Sequence, residues 1–165
     1  MRTRSRLTTA VAALCTLALP LAGQATHPDF TGTWVLDATK SVADGPMAAP
    51  TSGTVVIAMH GDSITMDQHS VSDMGETNSK KLYATDGYQW KNTLDYQGTP
   101  LALSSMASWK DKVLNIQTTT DFQGTPVDQA ERWTLSADGK TLTQVIDTGS
   151  NGQSYGSMTM VFNKK

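Results

Sequence analysis

From Thr54 onward the chain alternates apolar and polar side chains with a period of two, broken at near-regular intervals by Gly and Asp. Successive side chains on a strand point to opposite faces, so the alternation predicts half-buried strands. The apolar stripes are Val55, Ile57 and Met59; Ile64 and Met66; Leu82 and Ala84; Tyr88 and Trp90; Leu101, Leu103, Ala107 and Trp109; Leu114 and Ile116; Val127, Trp133 and Leu135; and Leu142 with Ile146. In the last run Met158, Met160 and Phe162 form the set assigned to the interior. Thr, Ser, Lys and Asp occupy the opposite faces, the pattern of a sheet wrapped round one core. Strands are predicted over 54–60, 63–70, 79–85, 88–93, 101–109, 112–120, 127–135, 140–147 and 154–163. With 32–37 that makes about ten. No window keeps a 3.6-residue apolar period for long, so little helix is expected.

The breaks set the topology. Gly61-Asp62, Asp86-Gly87, Lys110-Asp111 and Asp138-Gly139 suit tight hairpins, because Gly and Asp tolerate positive φ. Residues 72–78, 95–100, 121–126 and 149–153 read as longer loops alternating with them. A meander then has its tight turns at one end and its longer loops at the other. One repeat falls on the loop end: Asp95-Tyr96-Gln97-Gly98-Thr99-Pro100 is matched by Asp121-Phe122-Gln123-Gly124-Thr125-Pro126. It reads first as good turn chemistry and second as a duplicated recognition loop. The predicted fold is all-β: an antiparallel up-and-down meander barrel of about 8–10 strands.

The first residues differ in kind. Arg2, Arg4 and Arg6 precede an uncharged apolar run from Leu7 to Leu21, and Gly23 and Ala25 place small residues at a cleavage site. This is the layout of a signal peptide over 1–25, implying export and a mature protein in the periplasm or outside the cell. Residues 26–53 hold the first strand and a Pro-, Gly- and Ala-rich linker. Residues 54–165 form the barrel, one domain with 32–37. Cleavage removes three arginines and the single cysteine, Cys15, leaving ten basic against fifteen acidic side chains, net −5. That balance argues against nucleic acid, and disulfide and thiol chemistry are ruled out. No membrane span is expected after processing.

Within the predicted inner faces lie polar side chains: Gln68, Gln117, Gln129, Glu131 and Gln144. Buried polar groups need partners, so these mark either a polar-lined mouth or strand ends open to water. The candidate ligand-binding residues are Trp90, Trp109, Glu131, Trp133, Gln144 and Met158. No catalytic, cofactor or metal constellation is predicted. The chain has no Gly-rich phosphate loop, no Gly-X-Ser-X-Gly and no His-Glu-X-X-His. His60 and His69, on partner strands, would lie roughly 20 Å apart at ~3.3 Å per residue.

Gly32-Thr33-Trp34 at the start of a meander resembles the Gly-X-Trp signature of lipocalins. Pro28 to Trp34, with Lys40-Ser41 and the late stretch Glu131-Arg132-Trp133-Thr134-Leu135 to Leu142, is similar to small secreted bacterial lipocalin-like proteins. The resemblance implies a calycin-type barrel with an interior ligand site, and a cation from a late strand covering Trp34 at the closed end. Arg132 is the candidate for that cation. The chain departs from the lipocalin pattern in its strand count, about ten against eight, and in lacking cysteines after processing. Two functions are expected. One is an exported protein holding a small apolar or amphipathic molecule inside the barrel. The other is an envelope or extracellular structural or interaction module whose barrel is filled. An enzyme is the least expected of the three classes.

Overall fold

The computed structural model describes residues 27–45, 48–96 and 98–165; the predicted signal sequence, 1–25, lies outside them. The strands are β1 (Gly32–Leu36), β2 (Val42–Asp44), β3 (Ser52–His60), β4 (Ser63–Ser72), β5 (Gly75–Ala84), β6 (Asp86–Tyr96), β7 (Thr99–Lys110), β8 (Val113–Phe122), β9 (Thr125–Leu135), β10 (Thr141–Ser150) and β11 (Gln153–Lys164). From β3 to β11 each strand pairs antiparallel with the next, and β1 joins β3 to β11. Ten strands therefore close into an up-and-down barrel, with β2 added along β11. Closure removes the exposed edges that an open sheet would present. There is no helix among the described residues, and none long and apolar enough to cross a membrane.

The predicted linker contains a strand. Residues 37–41 bulge away from the wall, and β2 then returns to pair with Ser157–Thr159. The Ser41 hydroxyl ties the bulge down, donating to the Asp37 carbonyl and accepting from the Val161 N–H. Gly45 and Gly156 permit the close approach. A Cβ on either would run into the main chain of the other segment.

The loop end also differs from expectation. The segments expected to be longer loops are tight turns capping longer strands. Pairing runs up to Ser72↔Gly75, Tyr96↔Thr99, Phe122↔Thr125 and Ser150↔Gln153. Gln123 and Gly124, and Asn151 and Gly152, all have positive φ, as a two-residue hairpin turn of the right twist requires. The repeat is turn chemistry: the Asp95 and Asp121 carboxylates accept the N–H of Gly98 and Gly124, three residues on.

The inner faces follow the stripes, with two corrections. The register Ile64↔Tyr83 and Met66↔Lys81 turns Tyr83 and Lys81 inward and Leu82 outward. Tyr88 is 73% exposed, because β6 is irregular between Asp86 and Gln89. Gln117, expected near the interior, points out; Gln68 and Gln129 point in.

The barrel is filled at one end. Phe30, ahead of β1, reaches into the end closed by the 61–62 and 111–112 turns and is fully buried with Trp34, Trp133, Ile64 and Leu114. It stacks on Trp109 and meets Trp133 edge-on. The Trp34 Nε1–H donates to the Phe30 carbonyl at 2.8 Å. The cation over Trp34 is Lys164, 5.1 Å from the ring centroid, and not Arg132. Arg132 has outward parity on β9 and bonds Asp147 across to β10. Gly32 makes room for Lys164, since a Cβ there would sit 2.8 Å from its Cε.

The wall has one seam. The β5–β6 pairing covers only Thr77–Lys80 against Thr93–Tyr96. Beyond it the buried Asn92 side chain takes the place of a strand: its Oδ1 accepts the Leu82 N–H at 2.7 Å and its Nδ2 donates to the Leu82 carbonyl at 3.1 Å.

Candidate functional site

Above the aromatic plug the interior changes character. The inward positions of β9, read from the filled end upward, are Leu135, Trp133, Glu131 and Gln129. On β10 they are Leu142, Gln144, Ile146 and Thr148, and on β11 Phe162, Met160 and Met158. Strand β9 thus passes from large apolar groups to polar ones about halfway along, while β10 and β11 keep Ile146 and Met158 on their upper parts. The upper half holds a cavity of about 300 Å³ that opens to solvent at its mouth. Ile146, Met158, Met160 and Leu94 form its apolar wall; Glu131, Lys81 and Gln144, with Gln68, Gln129 and the hydroxyls of Ser70, Ser72, Thr77 and Ser79, form its polar part. Ala48 and Pro50, beyond β2, close one side, and Met74 on the β4–β5 turn reaches over the mouth.

The polar part is a connected cluster. Glu131 is 3% exposed. One carboxylate oxygen accepts the Trp133 Nε1–H at 2.9 Å; the other lies 3.6 Å from the Lys81 ammonium. The Lys81 side chain is itself 11% exposed. Charges taken this far out of water persist only when paired. Beneath them Tyr83 is packed edge-on against Trp133, its hydroxyl without a hydrogen-bond partner. Burial, and then the Glu131 carboxylate, push that hydroxyl well above its usual 10.0, so it remains a protonated donor. Gln144 is 1% exposed and its Nε2 also has no partner. Such unpartnered buried groups are uncommon and ask for an explanation. On the opposite wall the Ser105 and Thr118 hydroxyls satisfy each other at 3.0 Å.

Of the six residues singled out from sequence, Glu131, Gln144 and Met158 line this one cavity. Trp133 lies directly below, supporting Glu131 and fully buried. Trp109 belongs to the filled end, covered by Phe30 and by the stacked ring of His27. Trp90 is 38% exposed and outside the cavity lining. Lys81 was missed. Its apolar neighbours Leu82 and Ala84 suggested the opposite parity, and a longer loop at 72–78 concealed the register. A tight Asp73–Met74 turn, combined with inward Ile64 and Met66, fixes Tyr83 and Lys81 as inward.

A larger depression, about 550 Å³, lies over β3–β6 and is lined by Val56, Thr65, Lys80 and Lys91 among others. Most of its lining is solvent-exposed wall, and the unpartnered buried groups lie elsewhere. No protein-family model matches the chain, and no curated protein matches it.

Proposed function

We propose that this is an exported, lipocalin-like binding protein that holds a small amphipathic molecule in the upper half of its barrel. The observation that carries this reading is the cavity itself: a space of about 300 Å³, open at its mouth, walled by Ile146, Met158, Met160 and Leu94 around a buried Lys81–Glu131 pair. Small-molecule sites combine apolar walls with placed polar groups at volumes from about 300 Å³ upward, and here nine of the sixteen lining residues are polar, which suits an amphipathic guest. Methionine suits such a wall because its side chain adapts to what it touches. A barrel selected only as a filled module would gain by packing this space, since every void forfeits contacts. The Gly-X-Trp start and its buried Trp34 support the lipocalin-like reading, and the 1–25 pattern supports export.

The test fills the space. Ile146→Trp places a large side chain on the cavity wall. An environment-sensitive apolar dye should bind the unchanged protein with a blue-shifted emission and lose at least about tenfold in affinity for the variant, with circular dichroism unaltered. Equal dye binding by both proteins would place the dye elsewhere and count against an interior site.

A further inference from the structure

The polar cluster selects among amphiphiles, an inference that rests on the interior-binding reading. Two charged residues line the cavity among the described residues, Lys81 and Glu131, and they cancel. A ligand carboxylate would add a second negative charge beside Glu131, with no further cation to meet it. A ligand ammonium would stand against Lys81 in the same way. Like charges brought together out of water are strongly disfavoured, so the site as built suits an uncharged molecule.

The unused hydrogen-bonding capacity has a sign. The Gln144 Nε2 is a buried donor without a partner. The Lys81 ammonium has three donors, and its contact with Glu131, at 3.6 Å, is longer than the 2.7–2.9 Å of a fully formed charge-assisted bond. Meanwhile the Glu131 oxygens already face Trp133 and Lys81. On the Gln144–Lys81 side of the cavity the unused groups are thus donors, so the complement there is an acceptor oxygen.

We propose that the site takes a short, uncharged amphiphile whose polar end is a carbonyl-type oxygen, as in a ketone, ester or lactone. Its oxygen sits between Gln144 Nε2 and Lys81 Nζ, and its tail lies along Ile146, Met158 and Met160.

Three probes of nearly equal size separate the possibilities: nonan-2-one, octanoate and butylbenzene. Their affinities are measured by calorimetry, with methyl-labelled methionine NMR reporting entry at Met158 and Met160. Nonan-2-one should bind at least about tenfold more tightly than octanoate at neutral pH, and more tightly than butylbenzene. Gln144→Leu should weaken nonan-2-one about tenfold and leave butylbenzene unchanged. Glu131→Gln leaves Lys81 without its counter-charge, so octanoate should then overtake the ketone. If octanoate or butylbenzene matches nonan-2-one on the unchanged protein, or if Gln144→Leu leaves the ketone untouched, the head-group assignment is overturned while interior binding stands. If no probe shifts the Met158 or Met160 methyl signals, the interior-binding reading itself fails, and this inference with it.

Discussion

The Trp133 indole donates its N–H to the Glu131 carboxylate at 2.9 Å, although the two residues belong to one strand and stand two positions apart on one face. That bond joins the filled half of the barrel to the open half. Trp133 packs downward against Phe30 and Tyr83, and its polar edge points up to hold a buried charge. The carboxylate in turn faces Lys81, carried by β5 on another part of the wall.

Breaking this pair on one side should cost far more than removing it whole. Glu131→Leu and Lys81→Met each leave a charge buried with nothing to balance it, and each should destabilise by about 3 kcal/mol or more. The double variant should lie within about 1 kcal/mol of the unchanged protein. Urea denaturation of all four proteins measures the cycle, and simple additivity of the two single costs would show that the residues do not interact.

A second cycle concerns the closed end. Lys164→Met removes the cation over Trp34 and should cost about 1 kcal/mol. Arg132→Met removes a pair with Asp147 whose side chains are 47% and 45% exposed, and should cost less than about 1 kcal/mol. Chemical denaturation followed by tryptophan fluorescence ranks the two, and the reverse order would return Arg132 to the role the lipocalin resemblance implied.

The seam between β5 and β6 should be a local weak point once its side-chain bridge is lost. Asn92→Leu leaves the Leu82 N–H and carbonyl without partners, at a cost of about 2 kcal/mol. Hydrogen exchange at the Leu82 amide should accelerate by at least about tenfold, while amides of the β8–β9 pair change only with global stability. Unchanged protection at Leu82 would mean that main-chain pairing can close the seam unaided.

How much of this was legible in the sequence depended on the turns. At Gly61-Asp62, Lys110-Asp111 and Asp138-Gly139, which read as tight turns, the flanking apolar stripes face inward; at Asp86-Gly87, which also reads as tight, β6 is irregular and Tyr88 is exposed. The pairs Ile57↔Met66, Ala107↔Ile116 and Leu142↔Leu135 all face inward. At 72–78 a tight turn has the composition of a loop, so the register, and the inward Lys81 with it, is not legible there. A one-residue slip exchanges every side chain between faces, so one misread turn hides half a strand. The acidic half of the cluster, Glu131, was visible because β9 is anchored by Val127, Trp133 and Leu135. The Asn92 bridge and the fit of Phe30 into the barrel end had no local pattern, because both are set by distant parts of the wall. The choice of Lys164 over Arg132 was a matter of parity: residue 132 lies between two inward positions, 131 and 133.

Acid should loosen the join between β1 and β2. Asp37 is held well below the usual 3.8, first by the Thr39 hydroxyl, then by Lys40 and, against burial, by Asn163 from β11. Thr31, Ser136 and Ser157 lower Asp29, Asp138 and Asp147 in the same direction. A carboxylate whose folded pKa lies below its unfolded value adds stability above the unfolded value and loses it as pH falls through the folded one. The melting temperature should therefore change little from pH 7 to about 5 through these groups and fall below about 4. Asp37→Asn should flatten that acid limb, and a limb of unchanged steepness would remove Asp37 from the account.

The most direct test of the binding reading is native mass spectrometry on the protein purified without organic solvent. A mass excess that disappears on denaturation and releases a small, uncharged molecule is expected. The bare polypeptide mass, unchanged after incubation with a mixture of short ketones, esters and lipids, would contradict it and favour a barrel whose role lies on its outer surface.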